Sequence, residues 1–390
     1  MTDAMMTIPI AVPNIGPEDM AAVQATMADG WVSTVGPAVS RFEAAVAAEA
    51  GVERAVAVAA GTMGLHVALV ALGVGRDDLV LCPSFSFIAT ANAISQAGAE
   101  PYFVDIDPET WSLSPVRLAE ILAEDCARDR TGALRHVATG RRVAAIMPVY
   151  TMGAPADMDA ISAVAAEYGL PIVADAAAAI GAKYKGRPLG GLADLSVYSF
   201  NGNKTITTGG GGAVFGADTA LVDLVKHLSS TARVPSGEYD HDRAGFNYRM
   251  TALEAALGCA QIARLADFLA AKRRIRERYA AAFANSGLSP FPEPDFAESA
   301  FWFSGGVLPE GAGIGIEEAC AALRAAGVGV RVFWKPLHGQ PPYRNALRGP
   351  LPATEAIWPR VLVLPCSTHI SDEELARVEG AVRTHVIARL

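Results

Sequence analysis

The 390-residue sequence predicts an α/β fold: a mostly parallel sheet with helices on both faces, followed by a smaller C-terminal α+β part. Two observations carry this. Between Ala55 and Phe215, short apolar strand segments alternate with longer helical ones. Fully apolar strands are what a parallel sheet buried on both faces requires. After Phe215 the alternation stops and gives way to one long helical stretch and shorter mixed elements.

The elements follow in order. Residues 55–60 read as a strand and 64–73 as a helix; 79–82 as a strand and 88–97 as a helix. Residues 101–106 are a strand, 115–126 a helix, 143–149 a strand and 158–168 a helix. Residues 171–174, 195–200 and 212–215 complete the strands. The arbiter throughout is length and flanking Gly or Pro, because apolar runs this short lack a decisive period. Residues 253–279 form one long helical stretch with the basic run Lys272-Arg273-Arg274 near its end. A boundary at residues 267–276 then gives a large unit, 1–270, and a small one, 271–390. A chain of 390 residues suits two to three units at roughly 150 residues each.

Composition excludes several classes. Hydrophobic residues make up 51% and charged ones 19%, which a disordered chain does not show. Lys and Arg number 32 against 41 Asp and Glu, a net charge of −9 that argues against a nucleic-acid surface. Five single cysteines, with no CxxC pair, point to neither a disulfide framework nor a metal site. A reducing cytoplasm fits. Residues 1–10 carry Asp3 and no basic run, unlike a signal peptide. Residues 55–75 hold no Asp, Glu, Lys or Arg, which is long enough to span a bilayer. Gly61-Thr62 divides that run and His66 lies inside it, so it reads as a buried strand, turn and helix, and no membrane span is expected.

In open α/β sheets, ligands sit beyond the carboxyl ends of the strands. The first strand is followed by Gly61-Thr62-Met63 and the second by Phe85-Ser86-Phe87. The fifth is followed by Asp175, and the sixth by Ser199-Phe200-Asn201-Gly202-Asn203-Lys204, Thr207-Thr208 and four glycines. Each alone has an ordinary explanation: a turn, a helix cap or a solvated lysine. Together they set a phosphate cradle, an aromatic face, an acid and a lysine at one sheet edge, which is what pyridoxal phosphate requires.

Six lysines compete for the Schiff-base role: Lys183, Lys185, Lys204, Lys226, Lys272 and Lys335. Lys183 and Lys185 lie in a polar connection, Lys226 and Lys272 in helical, charged surroundings, and Lys335 in the small unit. Only Lys204 leaves a buried strand for a Gly-rich loop, where desolvation and nearby positive charge free the amine. Asp175 suits the pyridine nitrogen, because an ionised carboxylate keeps that nitrogen protonated and the ring an electron sink. Gly61, Thr62 and Met63 at a helix start, with the Ser199 hydroxyl, suit the phosphate. Phe87 can stack on the ring.

These residues resemble a known family. The marks are Gly30-Trp31-Val32-Ser33, Gly61-Thr62-Met63, Pro155-Ala156-Asp157-Met158-Asp159 and Ala174-Asp175-Ala176-Ala177. Further marks are Ser199 to Lys204, Phe246-Asn247-Tyr248-Arg249-Met250-Thr251 and Pro336-Leu337-His338. In this order, over residues 8–384, they resemble the nucleotide-sugar aminotransferases related to DegT, pyridoxal-phosphate enzymes of fold type I. The resemblance implies a seven-stranded sheet in the large unit and a homodimer with two shared sites. It implies Lys204 as the catalytic, cofactor-bearing lysine and Asp175 as the pyridinium partner. Thr62, Met63 and Ser199 would contact phosphate, and Phe87 would stack. Asn247 would reach the phosphate held by the neighbouring subunit, and His338 would line the sugar pocket. The loop Trp31-Val32-Ser33-Thr34, Arg233 and the segment from Trp334 to His338 would face the nucleotide sugar, with glutamate as amino donor.

Two positions depart from the pattern: Ala178, where the family carries Gln, Glu or His toward the cofactor's phenolic oxygen, and Ala60, where Ser or Asn is common. The strings from Asn201 to Thr208 and from Ser230 to Pro235 resemble the branch acting on UDP-4-keto-6-deoxy-N-acetylhexosamines, ahead of GDP- or dTDP-linked keto sugars. A related sugar dehydratase would carry His at position 204, so Lys204 argues against it. A non-catalytic regulator on the same fold is favoured by Ala178 alone.

Overall fold

The computed structural model describes residues 7–235 and 239–390. Most of the N-terminal segment read as lacking a signal peptide, residues 1–6, lies outside the described residues. Two helices open the chain, α1 (Pro17–Ala28) and α2 (Pro37–Ala50). The alternating elements follow: β1 (Ala55–Val58), α3 (Gly61–Ala71), β2 (Leu79–Pro83), α4 (Ile88–Gln96), β3 (Glu100–Val104) and α5 (Pro115–Asp125). Then come β4 (Val143–Ile146), α6 (Met158–Tyr168), β5 (Val173–Asp175), β6 (Leu195–Ser199) and β7 (Gly212–Phe215).

These strands form the expected seven-stranded layer, to which a further two-residue strand, Leu347–Arg348, adds in parallel at the β3 edge. Its order is β1-β7-β6-β5-β4-β2-β3, with parallel bridges Ile146↔Ile172 and Val149↔Asp175 joining its halves. Pairs β5/β6, β2/β4 and β2/β3 are parallel; only β7 runs against its neighbours. Successive side chains alternate between faces. Ala55, Ala57, Leu79, Leu81, Tyr102 and Val104 enter one core with Phe42 of α2, Leu118 of α5 and Ile161 of α6. Val56, Val58, Val80, Cys82 and Phe103 enter the other with Leu65 and Leu69 of α3 and Ile94 of α4.

The differences from the sequence reading lie at element ends. β1 stops at Val58, not 60, because Ala60 is extended as the N-cap and α3 begins at Gly61. β4 stops at Ile146; residues 147–149 stay extended but keep only single bridges. The long stretch at 253–279 is two helices, α8 (Ala252–Ala263) and α9 (Leu265–Phe283), broken where Arg264 turns to φ −102°, ψ 6°. The charge-free run is the buried β1, turn and α3, and no described helix is long and apolar enough to cross a membrane. α1, α2 and α7 (Thr219–Ser229) were not anticipated.

A second, antiparallel sheet follows: β8 (Ser289–Pro290), β9 (Ser304–Val307), β10 (Arg331–Val332) and β11 (Val361–Leu364), in the order β8-β9-β11-β10. It packs with α9, α10 (Ile316–Ala325) and α11 (Asp372–His385). Its core also takes Phe85, Trp111 and Met152 from the first layer, and Ile8 bridges Val328. The two sheets therefore share a contact, and the cavity described next lies along it.

Candidate active site

Because β1, β2, β5 and β6 run in one direction, their carboxyl ends converge. They open onto a cavity of about 400 Å³ that includes Gly61, Thr62, Phe87, Asp175, Ser199 and Lys204. The far wall comes from the second unit: Trp302, Arg331 and Trp334.

The phosphate end is built from backbone. α3 has no side-chain cap, so the first-turn N–H groups of Gly61, Thr62 and Met63 lack intrahelical partners and face an anion-ready helix start. Gly61 is required there: a Cβ would stand 2.9 Å from the Ser199 Cβ. The Met63 side chain does not line the cavity, so its part is confined to its N–H.

Asp175 ends β5 with 6% exposure. Its Oδ2 accepts from the Thr90 hydroxyl at 2.7 Å and its Oδ1 from the Ala177 N–H at 3.2 Å. Ser86 stands 2.7 Å from Thr90. Since Thr90 gives its one proton to the carboxylate, Ser86 donates to Thr90. Burial raises the Asp175 pKa, against the lowering effect of Thr90, the Ala177 N–H and Lys204. The carboxylate is thus desolvated without an ion-pair partner within reach among the described residues, and a cation beside it relieves that cost. A protonated pyridine nitrogen is such a cation.

Lys204 sits in a loop folded back on itself: its N–H donates to the Asn201 carbonyl at 2.8 Å, and the Thr208 N–H to Phe200 at 2.9 Å. Its Nζ stands 3.6 Å from the centre of the Trp302 ring. That ring is fixed by its own Nε1, which donates to the Asn203 carbonyl at 2.7 Å. Burial pulls the Lys204 pKa down to about 8, with a smaller push from Arg331 and an opposing pull from Asp175. An amine this close to neutrality is a ready nucleophile. The residues present fit pyridoxal phosphate at three points: an anion cradle, a buried carboxylate with no ion-pair partner among the described residues, and a softened lysine.

Lys272 lies in a helix, as expected, but it is 2% exposed and donates to the carbonyls of Trp302 at 2.8 Å and Cys366 at 2.6 Å. Burial alone does not single out Lys204. What does is the cavity, which Lys272 does not line.

Of the remaining expected residues, Phe87 lines the cavity but is 51% exposed, its ring tilted on Trp334, which also lines it, at 5.3 Å; Trp31, Ser33, Arg233, Asn247 and His338 do not line it within one chain. Trp31 is 42% exposed, and Ser33 gives its carbonyl to the Ala252 N–H at 2.6 Å. Arg233 lies over the Tyr239 ring at 3.9 Å. Asn247 is exposed and accepts two bonds from Arg249, at 3.1 and 2.7 Å. His338 has both ring nitrogens taken, by Ser84 at 2.7 Å and Glu355 at 2.6 Å. Ala178 does line the cavity. Sequence reasoning missed Thr90, Trp302 and Arg331. Thr90 lay hidden as a helix residue, and the other two come from the second sheet and its approach, with no motif to flag them.

Fold and site together define a pyridoxal-phosphate-dependent aminotransferase. Residues 13–383 match the DegT/DnrJ/EryC1/StrS aminotransferase family, and the chain belongs to it. It is 35% identical to a GDP-perosamine synthase of Caulobacter vibrioides, over 96% of this chain and 97% of that one. It is 34% identical to the putative pyridoxal phosphate-dependent aminotransferase EpsN of Bacillus subtilis, over 95% and 93%. Among solved structures it superposes on DesI, crystallised in the presence of its TDP-sugar product, with a TM-score of 0.86 at 29% identity, covering 97% and 93% of the two chains. The enzyme is a nucleotide-sugar aminotransferase, and its cofactor is pyridoxal 5′-phosphate.

Proposed function

We propose that this enzyme moves the amino group of glutamate onto a UDP-linked 4-keto-6-deoxy-N-acetylhexosamine. The observation that carries the chemistry is the meeting, in one cavity, of the buried Asp175, which has no ion-pair partner among the described residues, and a Lys204 pulled down to about 8. Bound there, the cofactor would supply the electron sink and the carrier for the amino group. Lys204 would hold the cofactor covalently and carry the proton to and from the substrate carbon. Asp175 keeps the ring nitrogen protonated, with Thr90 and Ser86 holding the carboxylate in place. The α3 N-terminus, Thr62 and Ser199 hold the phosphate, and Phe87 covers the ring.

Donor and acceptor use the same pocket in turn, since one lysine serves both. The active form is a cytoplasmic homodimer, with residues 1–270 carrying the cofactor and 271–390 closing over it. Trp31, Ser33, Arg233 and His338 serve the nucleotide sugar at the subunit boundary, and Asn247 reaches across it. The exposure of Trp31, Ser33, Arg233 and Asn247 leaves them free to do so. The UDP-linked acceptor is supported by the strings around Asn201 and Ser230. A GDP-linked keto sugar is the second reading, favoured by the full-length likeness to a GDP-perosamine synthase.

Borohydride reduction and peptide mapping test the first part; the label belongs on Lys204, and a label on Lys272 or any other lysine overturns it. A panel of UDP-, GDP- and dTDP-linked ketones tests the second. Faster turnover of a GDP-linked ketone than of the UDP-linked acetamido sugar replaces the acceptor and leaves the transamination standing. Parallel double-reciprocal lines are expected, and intersecting lines contradict the shared pocket.

A further inference from the structure

We infer that Lys272 is a positioning residue for Lys204, acting through Trp302; this rests on the reading of Lys204 as the cofactor-bearing lysine. Lys272 lies on α9, outside the cavity. Strands β9 and β11 pair in the register Ser304↔Leu364. Continued two residues outward, that register sets Trp302 opposite Cys366, where the ladder has already ended. Both N–H groups at this level turn away: Trp302 donates to the Met152 carbonyl at 3.0 Å and Cys366 to the Ile10 carbonyl at 2.6 Å. Both carbonyls are left to Lys272, whose ammonium donates to Trp302 at 2.8 Å and to Cys366 at 2.6 Å.

Buried carbonyls need donors, and an ammonium can serve two at once. Burying it, at 2% exposure, is itself costly. A simpler arrangement closes the ladder by one more rung, with Trp302 bonding Cys366 and an apolar residue at 272. What distinguishes the open form is where it puts Trp302. Released from Cys366, the Trp302 backbone crosses to the first sheet at Met152. The crossing is strained, since Phe301 and Met152 both have left-handed backbone, with φ 44° and 58°. The indole face then lies 3.6 Å from the Lys204 Nζ, and its Nε1 donates to the Asn203 carbonyl at 2.7 Å. The ring thus keeps water from the amine and fixes the loop that carries it. Burial is the largest influence on that amine; Asp175 and Arg331 are the charges acting on it, and a change at 272 alters neither. Without Lys272 the ladder closes, Trp302 withdraws toward Cys366, and the amine hydrates and takes up a proton more readily.

The test is the pH dependence of Lys204 acetylation in the cofactor-free full chain, by brief exposure to acetic anhydride and peptide mapping, since only the neutral amine reacts. In wild type the midpoint should lie at about 8. Lys272→Met should raise it by about one unit, which lowers labelling at pH 7 about tenfold. Trp302→Ala should raise it at least as far, and adding Lys272→Met to Trp302→Ala should move it no further, because the two changes act along one path. Lys272→Gln keeps a donor for one carbonyl and should give a smaller rise; it also stands in if the Met variant does not fold.

A midpoint that stays or falls in a folded Lys272→Met protein, whatever its melting temperature, overturns the assignment and leaves Lys272 a structural residue. So does a further rise when the two changes are combined, because Lys272 would then act on Lys204 without Trp302. Borohydride labelling of a lysine other than Lys204 defeats the cofactor reading instead, and the acetylation midpoints still decide whether Lys272 sets this amine.

Discussion

The two ends of the active site are built differently. At the cofactor end, every group sits on or just after a strand end: Thr62, Asp175, Ser199 and Lys204. Their positions are set by the sheet, and one chain brings these four to a common cavity. At the proposed sugar end, Trp31, Ser33 and Arg233 are exposed, and His338 is engaged with neighbours. None of these four lines the cavity. A sheet can fix chemistry within a subunit, whereas a large, polar nucleotide is met by loops that depend on what packs against them. The difference predicts that cofactor-end variants lose turnover, while sugar-end variants change acceptor binding and leave the donor half-reaction intact.

The largest effect tests the first limb. Lys204→Ala should cut turnover by at least about 10²–10⁴-fold, since covalent attachment and positioned proton transfer go together. The pKa of Lys204 adds a pH signature. With the amine at about 8, the rate of cofactor loading should rise roughly tenfold per pH unit below that value and level off above it. Loading that is flat between pH 6 and 8 would place the reactive amine elsewhere.

Next comes Asp175. Asp175→Asn should lower turnover by about 10²-fold, by removing the charge that holds the ring nitrogen protonated. Stability separates this from a capping role. Burial raises the carboxyl's pKa in the folded chain, so its ionised form costs the native state stability above that pKa. The cofactor-free Asn variant should therefore melt at or above wild type at neutral pH. A cap would behave oppositely, losing about 1 kcal/mol. A lower melting temperature with near-normal turnover would settle the matter for the cap.

Much of the cofactor end was legible in the sequence, and the reason is physical. Each strand end is a place where an apolar run meets Gly, Ser or Asp, so a site built on strand ends appears as punctuation between hydrophobic segments. The Lys204 loop and the Asp175 position are read this way. Thr90 was not legible, because a helix threonine facing a buried acid looks like any other helix threonine. Trp302, Arg331 and Lys272 were hidden for another reason. Trp302 and Arg331 reach the cavity only by tertiary packing, Trp302 bonding the Asn203 carbonyl 99 residues away, and Lys272 is buried by bonds to carbonyls 30 and 94 residues further along the chain. Strand ends were misjudged where apolar residues continue past the last paired residue, as at Ala59 and Met147.

A smaller effect probes the subunit boundary. Asn247→Ala alone should lower activity by about tenfold through a lost phosphate contact. Mixing inactive Lys204→Ala with a crippled Asn247→Ala protein should, after subunit exchange, restore about one quarter of wild-type activity. Half of the dimers are then mixed, and each carries one intact site of two. Proven exchange without recovery would confine Asn247 to its own subunit, where it holds Arg249.

The smallest effect is expected at Arg233. Its guanidinium is exposed and lies over Tyr239, itself exposed, so a contact with the acceptor's diphosphate is screened by water and salt. An exposed charge pair contributes up to about 1 kcal/mol, which caps the rise in acceptor KM for Arg233→Ala at about fivefold. That rise should shrink as salt is raised, because the interaction it removes is itself screened. Glutamate saturation and the donor half-reaction should not change at all. A salt-independent loss would mean that Arg233 acts by stacking on Tyr239 to shape its loop. A donor half-reaction that falls with the acceptor's would dissolve the distinction between the two ends, since a loop outside the cavity would then be setting chemistry that the sheet was taken to fix alone.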